Sequence, residues 1–390
     1  MRIGIVCYPT YGGSGVVATE LGAALGERGH QVHIISTAMP FRLSTLELNS
    51  NVYFHEVSAV DYPLFQSELQ TLSLATKLRQ VAIDEQLDVI HAHYAIPHAA
   101  SAWFASQMLA REGRRVPFVT TLHGTDITLV GRTPSFHNIV KFVLRESPAV
   151  TTVSSWLASQ THQHFEPGRP IEVIYNSICP DRFRPEGNTA CRKRFSPNGE
   201  KIVLHISNFR PVKRVVDVVK VFSRIAREIP ARLLFVGDGP DAEPAMREAR
   251  ELGVLDRTWF LGKQTNIEQF LRIADCFLFP SEYESFGLAA LEAMSSEVPV
   301  VTSDGGGLPE VIEHGVTGFT LPVGDIAGMA RAALSVLQNP AESQRIGKAA
   351  REAVIQRFHP RIIVPQYEAL YQRVCNEVGA ELVAAWDPAI

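Results

Sequence analysis

Short apolar runs rich in β-branched residues alternate with longer segments whose apolar positions recur at three- and four-residue spacing, throughout the chain. The short runs predict strands at 2–6 (RIGIV), 31–36 (QVHIIS), 52–57 (VYFHEV), 89–93 (VIHAH), 118–122 (FVTTL) and 149–153 (AVTTV). The longer ones predict helices, for example over 16–28 and 68–86. A loop rich in Pro, Gly, Asn and Arg follows at about 176–200, and then the pattern restarts with 202–206, 232–236, 258–261, 276–279 and 299–302. Strands separated by crossover helices imply a parallel sheet covered on both faces. The expected fold class is therefore α/β, with two Rossmann-like doubly wound domains at 1–171 and 172–360. The last helical stretch, 361–390, has no strand left to pair with and is expected to pack back on the first domain. Ligands of open α/β sheets sit beyond the carboxyl ends of the strands, so a cleft where two such domains face each other is the expected site.

Composition narrows the function. Apolar residues make up 46% and charged residues 20% of 390, a globular profile. Residues 1–170 carry 12 Lys/Arg against 13 Asp/Glu and the remainder 25 against 28, so neither half offers a basic footprint for nucleic acid or an anionic membrane. The five cysteines are scattered and never form CxxC, which argues against a disulfide framework or a zinc site. The N-terminus reads directly as a strand, and no apolar run approaches a membrane span; a cytoplasmic protein is expected.

Glycine-rich turns after strands come next. Gly12-Gly13-Ser14-Gly15 leads into a helix, where backbone N–H groups and the dipole favour an anion. Gly13 to Ala18 fits G-x-G-x-x-A, but the second strand ends Ile34-Ile35-Ser36-Thr37 without the carboxylate a nicotinamide cofactor's ribose requires. His123-Gly124-Thr125-Asp126 stands where a strand gives way to a glycine turn, whereas His91 and His93 read as core histidines; no histidine follows a metal-ligand spacing. In the second half, Ser207-Asn208-Phe209-Arg210-Pro211-Val212-Lys213-Arg214 gathers three cations at a strand's carboxyl end, a fit for a diphosphate. Glu284 and Glu292 form an E-x7-E spacing across a turn and the helix after it, and Asp304 to Glu310 adds a second glycine turn. The bland alternative makes Glu284 a helix-start carboxylate and Glu292 a surface residue.

Lys213, the E-x7-E pair, the G-G-x-P-E turn at Gly306 to Glu310 and His-Gly-Thr-Asp together resemble the retaining glycosyltransferases of the two-domain GT-B fold, the glycogen-synthase-like family 4. The resemblance covers essentially the whole chain. Segments such as CYPTYGGSGVVATELG, PFRL, YFHEV, HAHYAIPHA, TTLHGTDITLVG, HISNFRPVKR and PSEYESFGLAALEAM are similar to a branch found in bacillithiol-making bacteria. That branch transfers N-acetylglucosamine from UDP-N-acetylglucosamine to the hydroxyl of L-malate. The resemblance implies catalytic roles for His123, Lys213 and Glu284 and donor contacts from Gly15, Asn208, Arg210, Lys213, Ser285, Phe286, Gly287, Leu288 and Glu292. Ser14, Gly15 and Tyr94 are the candidates for the malate carboxylates. It implies no metal and no cofactor. One departure is that Asn208 stands where the family carries Arg, five residues before the lysine, leaving Arg210 or Arg214 as the second cation. Another small or polymeric acceptor, a non-catalytic sugar binder and an NAD oxidoreductase are the competing readings. The residues leave the oligomeric state open, a homodimer included.

Overall fold

The computed structural model describes residues 1–9, 13–40, 43, 51–58, 70–186 and 189–385; Gly12, Phe41-Arg42 of PFRL and Gly187-Asn188 of the connecting loop lie outside them. The chain divides into two compact units, Met1–Ser177 with Pro360–Ile390 (unit 1) and Ile178–His359 (unit 2).

Unit 1 carries strands β1 (Arg2–Val6), β2 (Gln31–Ser36), β3 (Val52–Glu56), β4 (Val89–His93), β5 (Phe118–Leu122), β6 (Ala149–Thr152) and β7 (Glu172–Val173). Unit 2 carries β8 (Lys201–Ile206), β9 (Ala231–Val236), β10 (Thr258–Phe260), β11 (Cys276–Phe279), β12 (Val300–Ser303) and β13 (Phe319–Leu321). The orders are β3-β2-β1-β4-β5-β6-β7 and β10-β9-β8-β11-β12-β13, with the registered neighbours parallel. Both sheets thus share one topology, winding outward in opposite directions from a central pair. The strand order reverses between β1 and β4 in unit 1 and between β8 and β11 in unit 2. Connections leave opposite faces of the sheet there, opening a crevice at the strands' carboxyl ends.

The central strands are buried on both faces, so their sequences run apolar without alternation: β4 and β5 are buried at every residue. Helix Gly13–Glu27 begins earlier than its apolar spacing predicts, because Gly13 and Ser14 already take helical geometry. In unit 2, Val215–Glu228 buries Val218, Val219, Phe222 and Ile225, the face that i, i+3, i+4 spacing selects. The C-terminal helix, Pro360–Ala385, lays Ile363, Val364, Tyr367, Leu370 and Tyr371 into the unit 1 core beside Ile3, Ile5, Val32 and Ile34. Its Arg373 pairs with Glu172 on β7, tying the edge strand to the helix. Among the described residues no helix is long and apolar enough to cross a membrane.

Candidate active site

In unit 2, Lys213, Glu284 and the glycine turn at Gly305–Gly307 meet at the switch point. The turn after β8 reaches a short helical turn, Pro211–Lys213, and the segment after β11 comes alongside it, Glu282 N–H donating to Val212 O at 2.7 Å. Lys213 Nζ then donates to Glu284 Oε1 at 2.6 Å, with side chains only 18% and 11% exposed. The same ammonium lies 5.5 Å from the centre of the Phe279 ring, whose face favours a cation. The ion pair is thus partly dry and stands just past a strand end.

The glycine turn after β12 serves this pair. Glu284 N–H donates to Gly305 O at 3.3 Å and Gly307 N–H to Glu284 O at 2.7 Å, a strand-like pairing that fixes the glutamate backbone. Gly306 has φ +77°, and a Cβ there would sit 2.1 Å from Glu284 O. The turn therefore needs glycine for backbone approach to Glu284. Gly306→Ala is expected to cost about 2–4 kcal/mol, through a disfavoured φ and a backbone clash. A urea melt of the full chain checks this; a parental midpoint would refute it.

Glu292 lies one turn into helix Leu288–Ser295. It is 6% exposed, which removes the surface-residue alternative. Ser285 is half-buried, and Phe286 is buried with its ring edge-on to Phe358. Gly287 caps the helix at φ +93°, and Leu288 opens it, so its N–H is among the donors a helix start leaves without an intrahelical acceptor. Arg214 is committed to Asp217, Nε donating to Oδ2 at 2.6 Å. Arg210 and Asn208 are exposed, and Arg210 makes no ion pair among the described residues. Of the two arginines, Arg210 is the one available to an anion.

In unit 1 the switch point lies between Tyr8, just past β1, and Tyr94, just past β4. Tyr94 is half-buried with φ +93°, edge-on to Tyr8 at 5.4 Å and tilted against His123 at 5.4 Å. His123 follows β5 and keeps a solvent edge. His93 Nδ1 and His123 Nε2 are 2.9 Å apart, one donating. His93 Nε2 is buried without a partner, so the arrangement that avoids an orphaned N–H puts the proton on His93 Nδ1, donated to His123. Burial holds these rings neutral: His123 and His91 are each pushed down to about 3, His98 to about 4, and His93 well below the usual range. His91 is a satisfied core residue, bonded to Tyr371 Oη at 2.7 Å and Thr121 Oγ1 at 2.6 Å. His93, fully buried as expected, also touches His123.

Asp126, quoted in the sequence motif without a role, is the anchor of this site. Its Oδ1 accepts from Gly124 N–H at 2.9 Å and His123 N–H at 3.3 Å, and its Oδ2 from Ala95 N–H at 3.0 Å. Burial raises its carboxyl to about 6, opposed by those same hydrogen bonds. Ser14 and Gly15 are buried in the first turn of their helix. Sequence reasoning missed Tyr8, His98 and Asp126 as site members. The signal available for Tyr8 was its place two residues past the first strand.

Among the described residues, His33, His55 and Glu85 also bring ligand-type atoms within 4.8 Å of one another. His33 Nδ1 and His55 Nε2 are 2.9 Å apart, a hydrogen-bond length. His33 Nε2 is buried and unpartnered, so the proton belongs on Nδ1. A metal on Nδ1 would drive that proton to Nε2, where no acceptor waits, whereas metal-bound imidazoles need one. The cluster is accounted for as a hydrogen-bonded histidine pair beside a carboxylate.

Known proteins resemble the chain along its full length. Residues 188–353 match the family described as glycosyl transferases group 1, and residues 11–182 match glycosyltransferase family 4. The N-acetyl-alpha-D-glucosaminyl L-malate synthase of Bacillus anthracis is 45% identical over 97% of this chain and 98% of its own. A glycogen synthase of Mycobacterium tuberculosis is 31% identical over 92% and 91%. Solved structures share the fold. Sucrose-phosphate synthase from Thermosynechococcus elongatus superimposes with a TM-score of 0.79 at 22% identity, over 96% of this chain and 99% of that one. Anabaena HepE, solved with UDP and glucose, gives 0.78 at 20% identity, over 95% and 99%. Two parallel-sheet units of matching topology, a lysine–glutamate pair at a switch point and these relatives agree, and the chain belongs to the family 4 glycosyltransferases of the GT-B fold.

Proposed function

We propose that the protein transfers N-acetylglucosamine from UDP-N-acetylglucosamine to the hydroxyl of L-malate with retention of anomeric configuration, the first step of bacillithiol synthesis. The observation that carries the donor side is the Lys213–Glu284 pair at the unit 2 switch point. The name of the Bacillus anthracis relative supports the acceptor. Lys213, with Arg210, meets the diphosphate and neutralises the charge that grows on the leaving UDP. Glu284, released from the lysine, accepts hydrogen bonds from hydroxyls of the transferred sugar, and Glu292 accepts from the ribose. The N–H groups at Phe286–Leu288 and Gly15 add dipolar stabilisation, and Ser285 and Asn208 line the donor.

Unit 1 supplies His123 to the sugar, and the Ser14–Gly15 helix start and Tyr94 to the malate carboxylates. The bond from the anomeric carbon to the phosphate oxygen breaks as the malate oxygen attacks from the same face. The malate hydroxyl proton passes to the departing phosphate, so no carboxylate nucleophile is required. His123 held neutral by burial suits this role, since it can donate to or accept from a sugar hydroxyl without adding charge. The same reading places the enzyme in the cytoplasm.

The test is incubation of the purified full chain with UDP-N-acetylglucosamine, with and without L-malate, measuring UDP release and product mass. Malate-dependent release and a glucosaminyl-malate product are expected. Donor binding without malate-dependent turnover would overturn the acceptor assignment and leave the donor site standing.

A further inference from the structure

His205 is fully buried in β8, where its neighbours are Val203, Leu204 and the rings of Phe209 and Phe235. A polar ring in such a place has to be partnered, and the partners fix its tautomer. Its Nδ1 lies 2.8 Å from Leu278 O on β11. A carbonyl only accepts, so Nδ1 carries the proton and Nε2 is bare. Nε2, 2.8 Å from Ser207 Oγ, therefore accepts the serine hydroxyl proton. The serine oxygen in turn accepts Phe209 N–H at 3.3 Å. One directed chain runs from the central strand β11, through His205 and Ser207, to the backbone of Phe209.

Phe209 needs holding. Its φ is +31°, in the left-handed region that a bulky residue avoids, while its ring is buried against Phe235. Further contacts seat the same turn on β9: Asp241 N–H donates to Phe209 O at 2.9 Å, and a Cβ on Gly237 (φ +125°) would lie 1.8 Å from Ser207 O. The chain leaves Phe209 directly into Arg210 and the Pro211–Lys213 turn. The conformation of Phe209 therefore sets where both cations emerge.

We infer that His205 and Ser207 are positioning residues for the donor diphosphate, holding the turn at 207–213 so that Arg210 and Lys213 meet the phosphates. This rests on the sugar-nucleotide reading of the unit 2 site. Burial, aided by the charge of Lys213 and opposed by the bond to Leu278, pushes His205 down to about 4. The ring thus stays neutral near pH 7 and Nε2 stays an acceptor.

Ser207→Ala removes the hydroxyl from the middle of the chain, and Ser207→Thr retains it. In the full-length enzyme, Ser207→Ala is expected to weaken UDP binding by calorimetry about tenfold and to raise the donor KM similarly. The malate KM should stay at the parental value and Ser207→Thr should recover the donor KM. His205→Phe should reproduce the Ser207→Ala pattern in whatever fraction remains folded by circular dichroism. Parental UDP affinity in Ser207→Ala would overturn the inference. So would equal losses for donor and malate, or a fall in melting temperature with unchanged kinetics of the folded protein. If the parental protein binds no UDP, the donor-site reading and this inference fail together; if it does and Ser207→Ala binds equally, only the inference fails.

Discussion

Lys213→Ala is expected to lower kcat/KM for the sugar nucleotide about a thousandfold, or ~4 kcal/mol of barrier, the upper end for losing one electrostatic donor at a developing oxyanion. The magnitude follows from the surroundings of the ammonium. It is 18% exposed, 2.6 Å from Glu284 and poised over the Phe279 ring, so its charge acts in a medium less polar than water. Without a donor, Glu284 is the lysine's partner. In the proposed donor complex the lysine is shared with a phosphate and the carboxylate is freed toward the sugar. Removing the lysine also leaves a nearly buried carboxylate unpaired, next to where an anion must bind, so stability suffers too. A double-mutant cycle separates the two effects. Lys213→Met with Glu284→Gln removes both charges and should restore much of the melting temperature lost in Lys213→Met alone. Turnover should remain at the level of the single mutant. Recovery of activity together with stability would show that the lysine serves only its ion pair.

The outlines of both sheets were legible because central strands of a parallel sheet are apolar on both faces, and such runs stand out between amphipathic helices. One edge of each sheet was not. β7 has two residues and β13 three, too short to show any period, and their strand character comes from pairing with β6 and β12. The donor-side chemistry was legible as residue types at strand ends. That Lys213 and Glu284 touch, 71 positions apart, was not, since the contact depends on how β8 and β11 adjoin. The claim of Asp217 on Arg214 was available three residues along the helix start and would have singled out Arg210.

The histidine cluster marks the other limit. Alternation in β4 puts His91 and His93 on one face of the sheet, a fact the sequence carries. Their partners come from β5, from the turn after it and from the C-terminal helix, where Tyr371 is 280 residues away from His91. A buried histidine and a surface one look alike until those elements pack. Asp126 is similar: its aspartate reads as a helix-start residue, and only the fold shows it gathering three backbone N–H groups.

That cluster is expected to make unit 1 acid-sensitive. A histidine whose folded pKa lies below the unfolded value binds protons more readily when unfolded, so stability falls as pH drops from about 6.5 toward the folded value. For His91 and His123 that lower limit is about 3, and for His98 about 4. At pH 5 each of the three should cost about 2 kcal/mol relative to neutral pH, and His93 adds a loss of the same sign. Asp126 works the other way. With its folded carboxyl near 6, protonation relieves a buried charge as pH falls, returning about 1 kcal/mol by pH 5. The histidines prevail, so the net effect of acid on unit 1 is destabilising by several kcal/mol. In unit 2, His205 contributes a single loss of this kind. Carboxylates held low by ion pairs or hydrogen bonds, such as Glu368 and Glu200, give up their share only at more acid pH. Calorimetric scans between pH 7 and pH 5 are therefore expected to split, a unit 1 transition moving down ahead of unit 2. Saturating UDP should raise the later transition. A melting profile unchanged down to pH 5 would mean that the buried histidines are charged or solvated in the folded protein, and the neutral His123 assigned to the sugar contact would fall with it.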